Sequence, residues 1–283
     1  MKKTILIGIA IISILVFYAL TKKEVDDKAV NGPYVSEIIQ KTNEIKQPVD
    51  MLYAGISWDY DKDRFFVSTD QPHELFSSGI ASFYIFNKTL DTVLFKMDLE
   101  TNGDLEGISY IGNNEIAIIS EAGTLYFLKE QNKQWKLTNT ISLPAENGPY
   151  KLASLAYDSK NKHLYTAQKE GKKIIYKMDR EGKLLKHFTL EVKNNRTNAK
   201  ASIESDYTIS GMTFNKEHLY IFSEAYSTIF KFNPKTKHVD NIYGVENIHE
   251  SAGITIKKGS IYLVGDFESY LPKPSFYQVD LPQ

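Results

Sequence analysis

Carboxylates recur at one equivalent place along this sequence, just after a strand-like run, and they are its first candidates for chemistry. The set comprises Asp70, Glu121, Glu170, Glu224, Asp266 and Glu268. If the runs are equivalent strands of a repeat, these side chains lie on one face and surround a common pocket. Such a ring can bind a divalent cation or a cationic ligand, or supply an acid and a base with split pKa values. The alternative is that they only occupy polar turns.

Glu106 is a further candidate because it lies within an otherwise apolar run. A carboxylate buried there needs a partner or a metal ion to offset its lost hydration. We therefore predict a metal site formed by Glu106, Glu121, Glu224 and Asp266. No catalytic residue is assigned, since the histidines show no metal-like spacing and the chain has no nucleophile elbow and no phosphate-binding glycine loop.

These candidates are carried by five copies of a short phrase: a small or acidic residue, a small residue, an aliphatic residue, a small residue and a large apolar residue. The copies are residues 54–58, 106–110, 153–157, 210–214 and 252–256. Strand-like runs follow at 64–68, 115–119, 163–166, 218–222 and 260–264. Multi-stranded repeats spaced by roughly 40 to 57 residues are typical of propeller blades. Small residues in the phrase are expected to let inner strands pack closely; among them are Gly107, Gly211 and Gly253.

The fifth repeat ends early, at residues 276–280 and a short tail, and lacks an outermost strand. A segment before the first copy, residues 42–46, resembles the segment that precedes the third copy. We predict that this N-terminal strand pairs with the final blade and closes the ring, because closure removes exposed sheet edges. The sequence thus predicts an all-β, five-bladed β-propeller over residues 34–283, with six blades as the alternative.

The N-terminus has the composition of an export signal. Two lysines precede sixteen uncharged residues, 5–20, and two more lysines follow. The stretch is at the short end of the about 17 to 25 residues that span a bilayer, and no Ala-x-Ala cleavage site follows it. Residues 1–23 are predicted to form a hydrophobic helix that acts as an uncleaved signal anchor, with a cleaved signal peptide or a buried cytosolic helix as alternatives. Residues 24–33 are predicted to be a tether.

Composition excludes several kinds of protein. The formal net charge is −1 and charges of both signs are interspersed, so no nucleic-acid partner is expected. The chain has no cysteine, which excludes disulfides, thiolate nucleophiles and a lipid-modified N-terminal cysteine. A hydrophobic content of 42% is enough to bury a large core.

Residues 104–112 resemble the SdiA-regulated, YjiK-like family of bacterial propellers. The resemblance includes the other phrases, at 152–158, 209–211 and 252–255, and with the N-terminal segment it covers nearly the whole chain. It implies a five-bladed propeller that is attached to the inner membrane or exported across it. It also implies a calcium site near the hub.

The chain departs from the family pattern at this implied calcium site. Family members carry Glu before the glycine of the second, third and fifth phrases, whereas this chain keeps Glu106 and has Ala153 and Ala252. Calcium takes about six to eight oxygen ligands, usually with several carboxylates, so two losses weaken the site.

The expected function is that of a ligand- or protein-binding propeller with Ca²⁺ as its candidate cofactor. We expect it at the bacterial inner membrane, held by the N-terminal segment, with the propeller outside the cytoplasm; a secreted or periplasmic form is the alternative. Its ligand or protein partner is not identified by the sequence. One alternative function is that of a metal-dependent hydrolase, such as an esterase, lactonase or phytase-like enzyme. Another is a degenerate family member retained for protein–protein contacts.

Overall fold

The computed structural model describes residues 35–48, 52–69, 80–101, 103–143, 151–169, 171, 173–190, 208–246, 248, 251–265 and 275–282. Regular structure in these ranges consists of β-strands and one short 3-10 helix, Glu224–Tyr226. None of the described segments is a helix with the length and apolar character required to cross a membrane. The predicted hydrophobic helix, residues 1–23, and the predicted tether, residues 24–33, lie outside the described residues.

After a first strand, β1 (Glu37–Lys46), the chain forms units of consecutive antiparallel strands. Unit 1 contains β2 (Tyr53–Asp59), β3 (Arg64–Thr69), β4 (Ile80–Phe86) and β5 (Val93–Glu100). Unit 2 contains β6 (Leu105–Gly112), β7 (Glu115–Ser120), β8 (Thr124–Gln131) and β9 (Gln134–Ser142). Unit 3 contains β10 (Leu152–Asp158), β11 (His163–Gln168), β12 (Ile174–Asp179) and β13 (Leu184–Thr189).

The last two units share one eight-stranded sheet. Unit 4 contains β14 (Gly211–Asn215), β15 (His218–Ser223), β16 (Thr228–Asn233) and β17 (His238–Glu246). Unit 5 contains β18 (Ser251–Lys257), β19 (Ser260–Gly265) and β20 (Ser275–Asp280), and it takes β1 as its fourth strand.

Strand β1 joins the beginning of the chain to its end. Its second half pairs antiparallel with β20, with Ile45 opposite Phe276. Its first half runs parallel to β17 and so links unit 5 to unit 4. The predicted pairing of residues 42–46 with residues 276–280 is therefore confirmed. This pairing satisfies backbone groups that an open array would expose at its edge.

The first strands of the units contact one another in the cyclic order β2, β6, β10, β14, β18 and back to β2. A Cβ atom placed on Gly107 would lie 2.3 Å from the backbone nitrogen of Leu155. One on Gly253 would lie 2.9 Å from Cα of Gly55, and one on Gly211 would lie 2.8 Å from a backbone oxygen. These distances leave no room for a side chain, so the predicted close packing of the phrase glycines is confirmed.

The core consists of apolar layers that each lie between two neighbouring units. Phe66 of unit 1, for example, stacks on Tyr110 of unit 2 with ring centroids 5.8 Å apart, and Phe188 of unit 3 stacks on Phe232 of unit 4 at 5.5 Å. Burial of each such ring contributes about 1.5 to 3 kcal/mol. The apolar positions of each repeat thus hold adjacent units together, and the small antiparallel sheets form a propeller-like ring.

Candidate functional site

Three of the predicted carboxylates, Glu106, Glu121 and Glu224, lie at the end of the ring where the first strand of each unit begins; we call this the Glu106 end. Glu106 is the second residue of β6, and Glu121 is the first residue after β7. Glu224 is likewise the first residue after β15, in unit 4. The last predicted ligand, Asp266, lies outside the described residues, as do Asp70, Glu170 and Glu268.

Glu106 lies in a β-bulge. In unit 2 the pairing shifts between Leu105 and Gly107, so Glu106 is left without an opposite residue. The same shift in units 1 and 5 leaves Ala54 and Ala252 in the corresponding position. A bulge bends its strand and redirects one side chain, and bulges are common beside functional sites. Sequence reasoning found the residue but missed the bulge that positions it.

The Glu106 side chain is buried beside a lysine ammonium. Only 6% of the residue is exposed, and its Oε1 lies 3.1 Å from Nζ of Lys169. Burial raises the pKa of the Glu106 carboxyl; the Lys169 ammonium opposes this shift, and the carboxylates of Glu121 and Asp104 reinforce it. The carboxyl therefore keeps its proton to a higher pH than an ordinary glutamate does, which suits it to exchange a proton or a counterion.

In unit 3, a lysine and not an acid occupies the recurring position that the sequence analysis assigned to Glu170. This lysine, Lys169, is the first residue after β11, the place that Glu121 and Glu224 occupy in their units, so it and not Glu170 is the equivalent residue of unit 3. The backbone agrees, because Glu121 N donates to Asp104 O at 2.8 Å and Lys169 N donates to Lys151 O at 2.8 Å. The sequence alone could have identified this lysine, because it is the first residue after the second strand of its unit, whereas the prediction chose the nearest acidic residue.

The backbone around Lys169 is firmly held. Its carbonyl accepts a hydrogen bond from Ile209 N at 3.2 Å and one from Lys173 Nζ at 3.0 Å. Lys173 is only 2% exposed and has a left-handed backbone with φ of 50°. Burying an ammonium is costly, and the hydrogen bond to the Lys169 carbonyl offsets part of this cost. The lysine side chain of Lys169 itself is about one-third exposed, so it can leave Glu106 for solvent.

Calcium fits the described donors only if Lys169 moves. Glu106 and Glu121 are brought close enough to interact electrostatically, but the contact on Glu106 is an ammonium. The other family positions for a carboxylate hold Ala153, which is fully buried, and Ala252, and neither offers a side-chain oxygen. Among the residues that the structure describes, no group of three or more histidine, aspartate or glutamate side chains could hold a metal ion. If bound, calcium would supply a positive charge at Glu106.

The ring of small antiparallel sheets places the molecule in the class of all-β, propeller-like proteins. The crystal structure of Myxococcus xanthus glutaminyl cyclase is similar, with a TM-score of 0.63 and 14% sequence identity, over 87% of this chain and 100% of that chain. The crystal structure of a nidogen/laminin complex is more distant, with a TM-score of 0.49 and 12% identity over 76% of this chain and 73% of that chain. The first of these likenesses supports the fold alone. A comparison with curated proteins finds no match.

Comparison of the sequence with family models identifies the family. The model of the SdiA-regulated family matches residues 34–270, which include every described strand up to β19. The chain belongs to the SdiA-regulated family, as its phrases predicted.

Proposed function

We propose that this protein is a five-bladed propeller that binds a cationic ligand at the Glu106 end. The five four-stranded units are its blades, and residues 1–23 tether it to the bacterial inner membrane or direct its export. The propeller then lies outside the cytoplasm. Membership of the SdiA-regulated family and the closure of the ring by β1 support the architecture.

One observation carries the binding function: the fold keeps a buried carboxylate where it does not need one. Units 1, 3 and 5 have Ala54, Ala153 and Ala252 at the position of Glu106, and the backbone is propeller-like in all of them. Burying a charge is costly even when it is paired, so its presence in one unit favours a role in recognition.

The chemistry of the site favours a ligand with an ammonium group. The carboxylate of Glu106 already accepts one ammonium, from Lys169, in a direct contact. An incoming amine would take this place while Lys169 moves to solvent, with little change in the charge of the site. Calcium is the second cation to consider, and it would need further oxygen donors from the ligand, the backbone or water.

Removing the internal competitor tests this proposal. Lys169→Met should leave Glu106 open, so ethylamine should raise the melting temperature of this variant more than that of the wild type, because a ligand of the folded state stabilises it by mass action. Lys151→Met, which removes a nearby lysine, is the matched control, and Glu106→Gln/Lys169→Met should lose the response. A parallel titration with CaCl₂ distinguishes a metal from an amine. If neither cation shifts the melting of Lys169→Met, the site does not bind cations.

A second candidate, hydrolysis, is favoured by the raised pKa of Glu106. A carboxyl group that holds its proton closer to neutral pH is suited to general acid–base catalysis. The purified protein is to be assayed with ester, lactone and phosphate substrates. Turnover that is lost in Glu106→Gln but kept in Glu181→Gln would replace the binding function with an enzymatic one.

A further inference from the structure

A second candidate site lies at the opposite end of the ring, where the first strands end. A cavity of about 330 Å³ is lined there by residues from the first strands of all five units, so it lies on the axis of the ring. It adjoins a cavity of about 500 Å³ between units 2 and 3, and the two share Tyr60, Tyr157 and Ser159. Both volumes are in the range of small-molecule sites.

Four hydroxyl groups at equivalent phrase positions line the axial cavity: Ser57, Ser109, Thr213 and Thr255. Two of them accept a hydrogen bond from the backbone of the next unit, since Tyr110 N donates to Ser57 Oγ at 2.8 Å and Trp58 N donates to Thr255 Oγ1 at 3.2 Å. Among the described residues their own hydroxyl protons have no acceptor, so they remain available as donors. The hydroxyls of Ser109 and Thr213 make no hydrogen bond within the described part of the chain.

Charge in this cavity favours an anion. Lys160 and Lys216 line it, and the one carboxylate among its described lining residues, Asp158, is already engaged. Its Oδ1 accepts from Lys160 N at 3.1 Å and from Asn161 N at 3.0 Å, and its Oδ2 accepts from Asn161 Nδ2 at 2.6 Å. The two ammonium groups therefore give the described lining a net positive charge and an excess of hydrogen-bond donors.

The cavity also has aromatic walls. Trp58, Tyr110 and Phe214 line it, and Tyr60 forms part of the wall that it shares with the larger cavity. Tyr60 is 46% exposed and meets Tyr110 edge-on, with ring centroids 5.0 Å apart. Aromatic faces beside convergent polar groups are typical of sites that bind a ring-shaped polar ligand.

We propose that this axial cavity binds a small anionic ligand of monosaccharide size, with a phosphate or carboxylate group. The free hydroxyl donors and the two lysines bind the anionic group, and the aromatic walls contact the ring of the ligand. The cavity lies at the opposite end of the ring from Glu106.

Tryptophan fluorescence of the full-length protein tests the proposal, because Trp58 lines the cavity and the only other tryptophan, Trp135, is 6% exposed and packs in the core. Glucose 6-phosphate and glucuronate should quench the emission in a saturable way, and Trp58→Phe should abolish the response. Inorganic phosphate and glucose should bind at least tenfold more weakly than glucose 6-phosphate, because inorganic phosphate lacks the sugar ring and glucose lacks the anionic group.

Matched variants locate the binding. Thr213→Val should weaken binding of glucose 6-phosphate about tenfold, whereas Thr228→Val, in the same unit at the other end, should not. Lys216→Gln should weaken it, whereas Lys237→Gln, another exposed lysine of left-handed backbone in unit 4, should not. Ser109→Ala replaces Thr213→Val if that variant does not fold. Absence of quenching by either anion up to about 10 mM, equal binding of glucose, or equal effects of a variant and its control would overturn the proposal.

Discussion

At the scale of single residues, two glutamates of unit 2 illustrate opposite uses of a charge. Glu106 is buried beside one ammonium, and its environment disfavours the ionised form. Glu115 is partly exposed and paired with both Lys129 and Arg180, and its environment favours the ionised form. The first pattern is expected of a residue kept for function at some cost in stability, and the second of a residue that stabilises the fold.

Glu106→Gln should therefore stabilise the protein at alkaline pH. The pKa of Glu106 is higher in the folded state than in the unfolded state, where it has the ordinary value of 4.5. Above pH 4.5 the folded state therefore keeps more protons than the unfolded state, and the stability falls as pH rises towards the folded-state pKa. The amide has no such penalty. We expect a gain of about 1 kcal/mol at pH 8 that shrinks towards pH 4, measured by urea unfolding across this range. A difference that does not change with pH would contradict the argument.

Glu115→Gln should have the opposite sign. Partial burial opposes the shift, but the hydrogen bonds from Lys129 and Arg180 outweigh it and lower the pKa of Glu115. Its contribution to stability is thus present above pH 4.5 and is lost as pH falls through the lower folded-state pKa. Because solvent screens these pairs, the expected loss at pH 7 is about 0.5 to 1 kcal/mol, vanishing in acid. The same urea series provides the measurement, and a loss that persists at the lowest pH would refute it.

At the scale of elements, the first strands of the units pack backbone against backbone. At Gly55 in unit 1 and Gly107 in unit 2 the neighbouring unit is so close that glycine is required for space and not for an unusual backbone angle. The bulges beside these glycines then decide which side chain of each strand is turned toward the Glu106 end. Packing of the ring and presentation of the candidate site are therefore properties of the same few positions.

Gly107→Ala tests this close packing. The new Cβ would lie 2.3 Å from Leu155 N and 2.4 Å from the carbonyl carbon of Ser154, and neither backbone atom can move without separating units 2 and 3. We expect a loss of about 3 kcal/mol or failure to fold, followed by thermal denaturation. Gly259→Ala is the control, because it has open space and a φ of +93°, and should cost only about 1 kcal/mol. Equal losses would show that backbone angle, not space, sets the requirement.

At the scale of the whole molecule, closure depends on β1. This strand bonds to β20 along its second half and to β17 along its first half, so it joins two units as well as completing one. The ring closes only when segments that are far apart in the sequence meet, which costs loop-closure entropy. The same pairing covers two sheet edges that would otherwise be exposed.

Truncation separates the role of β1 from that of the preceding segment. Deleting residues 1–34 should leave the melting temperature nearly unchanged, whereas deleting residues 1–48 should expose the edges of β17 and β20 and cause unfolding or aggregation. Size-exclusion chromatography and thermal denaturation measure both outcomes. A synthetic peptide of residues 35–48 should partly restore the shorter protein. Similar melting of the two truncations would mean that β1 does not hold the ring closed.

Much of this architecture could be predicted because it repeats. Each inner strand must bury apolar residues on both sides and must have a small residue where backbones meet, so the phrase recurs and can be read in one chain. The pairing of Ile45 with Phe276 followed from the missing outermost strand. Lys169 was missed because the prediction followed a residue type, the nearest acid, and not a position in the strand.

The sequence by itself determined the all-β repeat, the family and the presence of one unmatched carboxylate, Glu106, because these depend on local composition and on spacing along the chain. Only the tertiary structure decided which charge meets that carboxylate and which hydroxyls surround the axis. Lys169 reaches Glu106 from 63 positions away, and the hydroxyls of the axial cavity come from separate units. Contacts of this kind arise from the packing of the units around the axis, which brings together residues that are far apart in the chain.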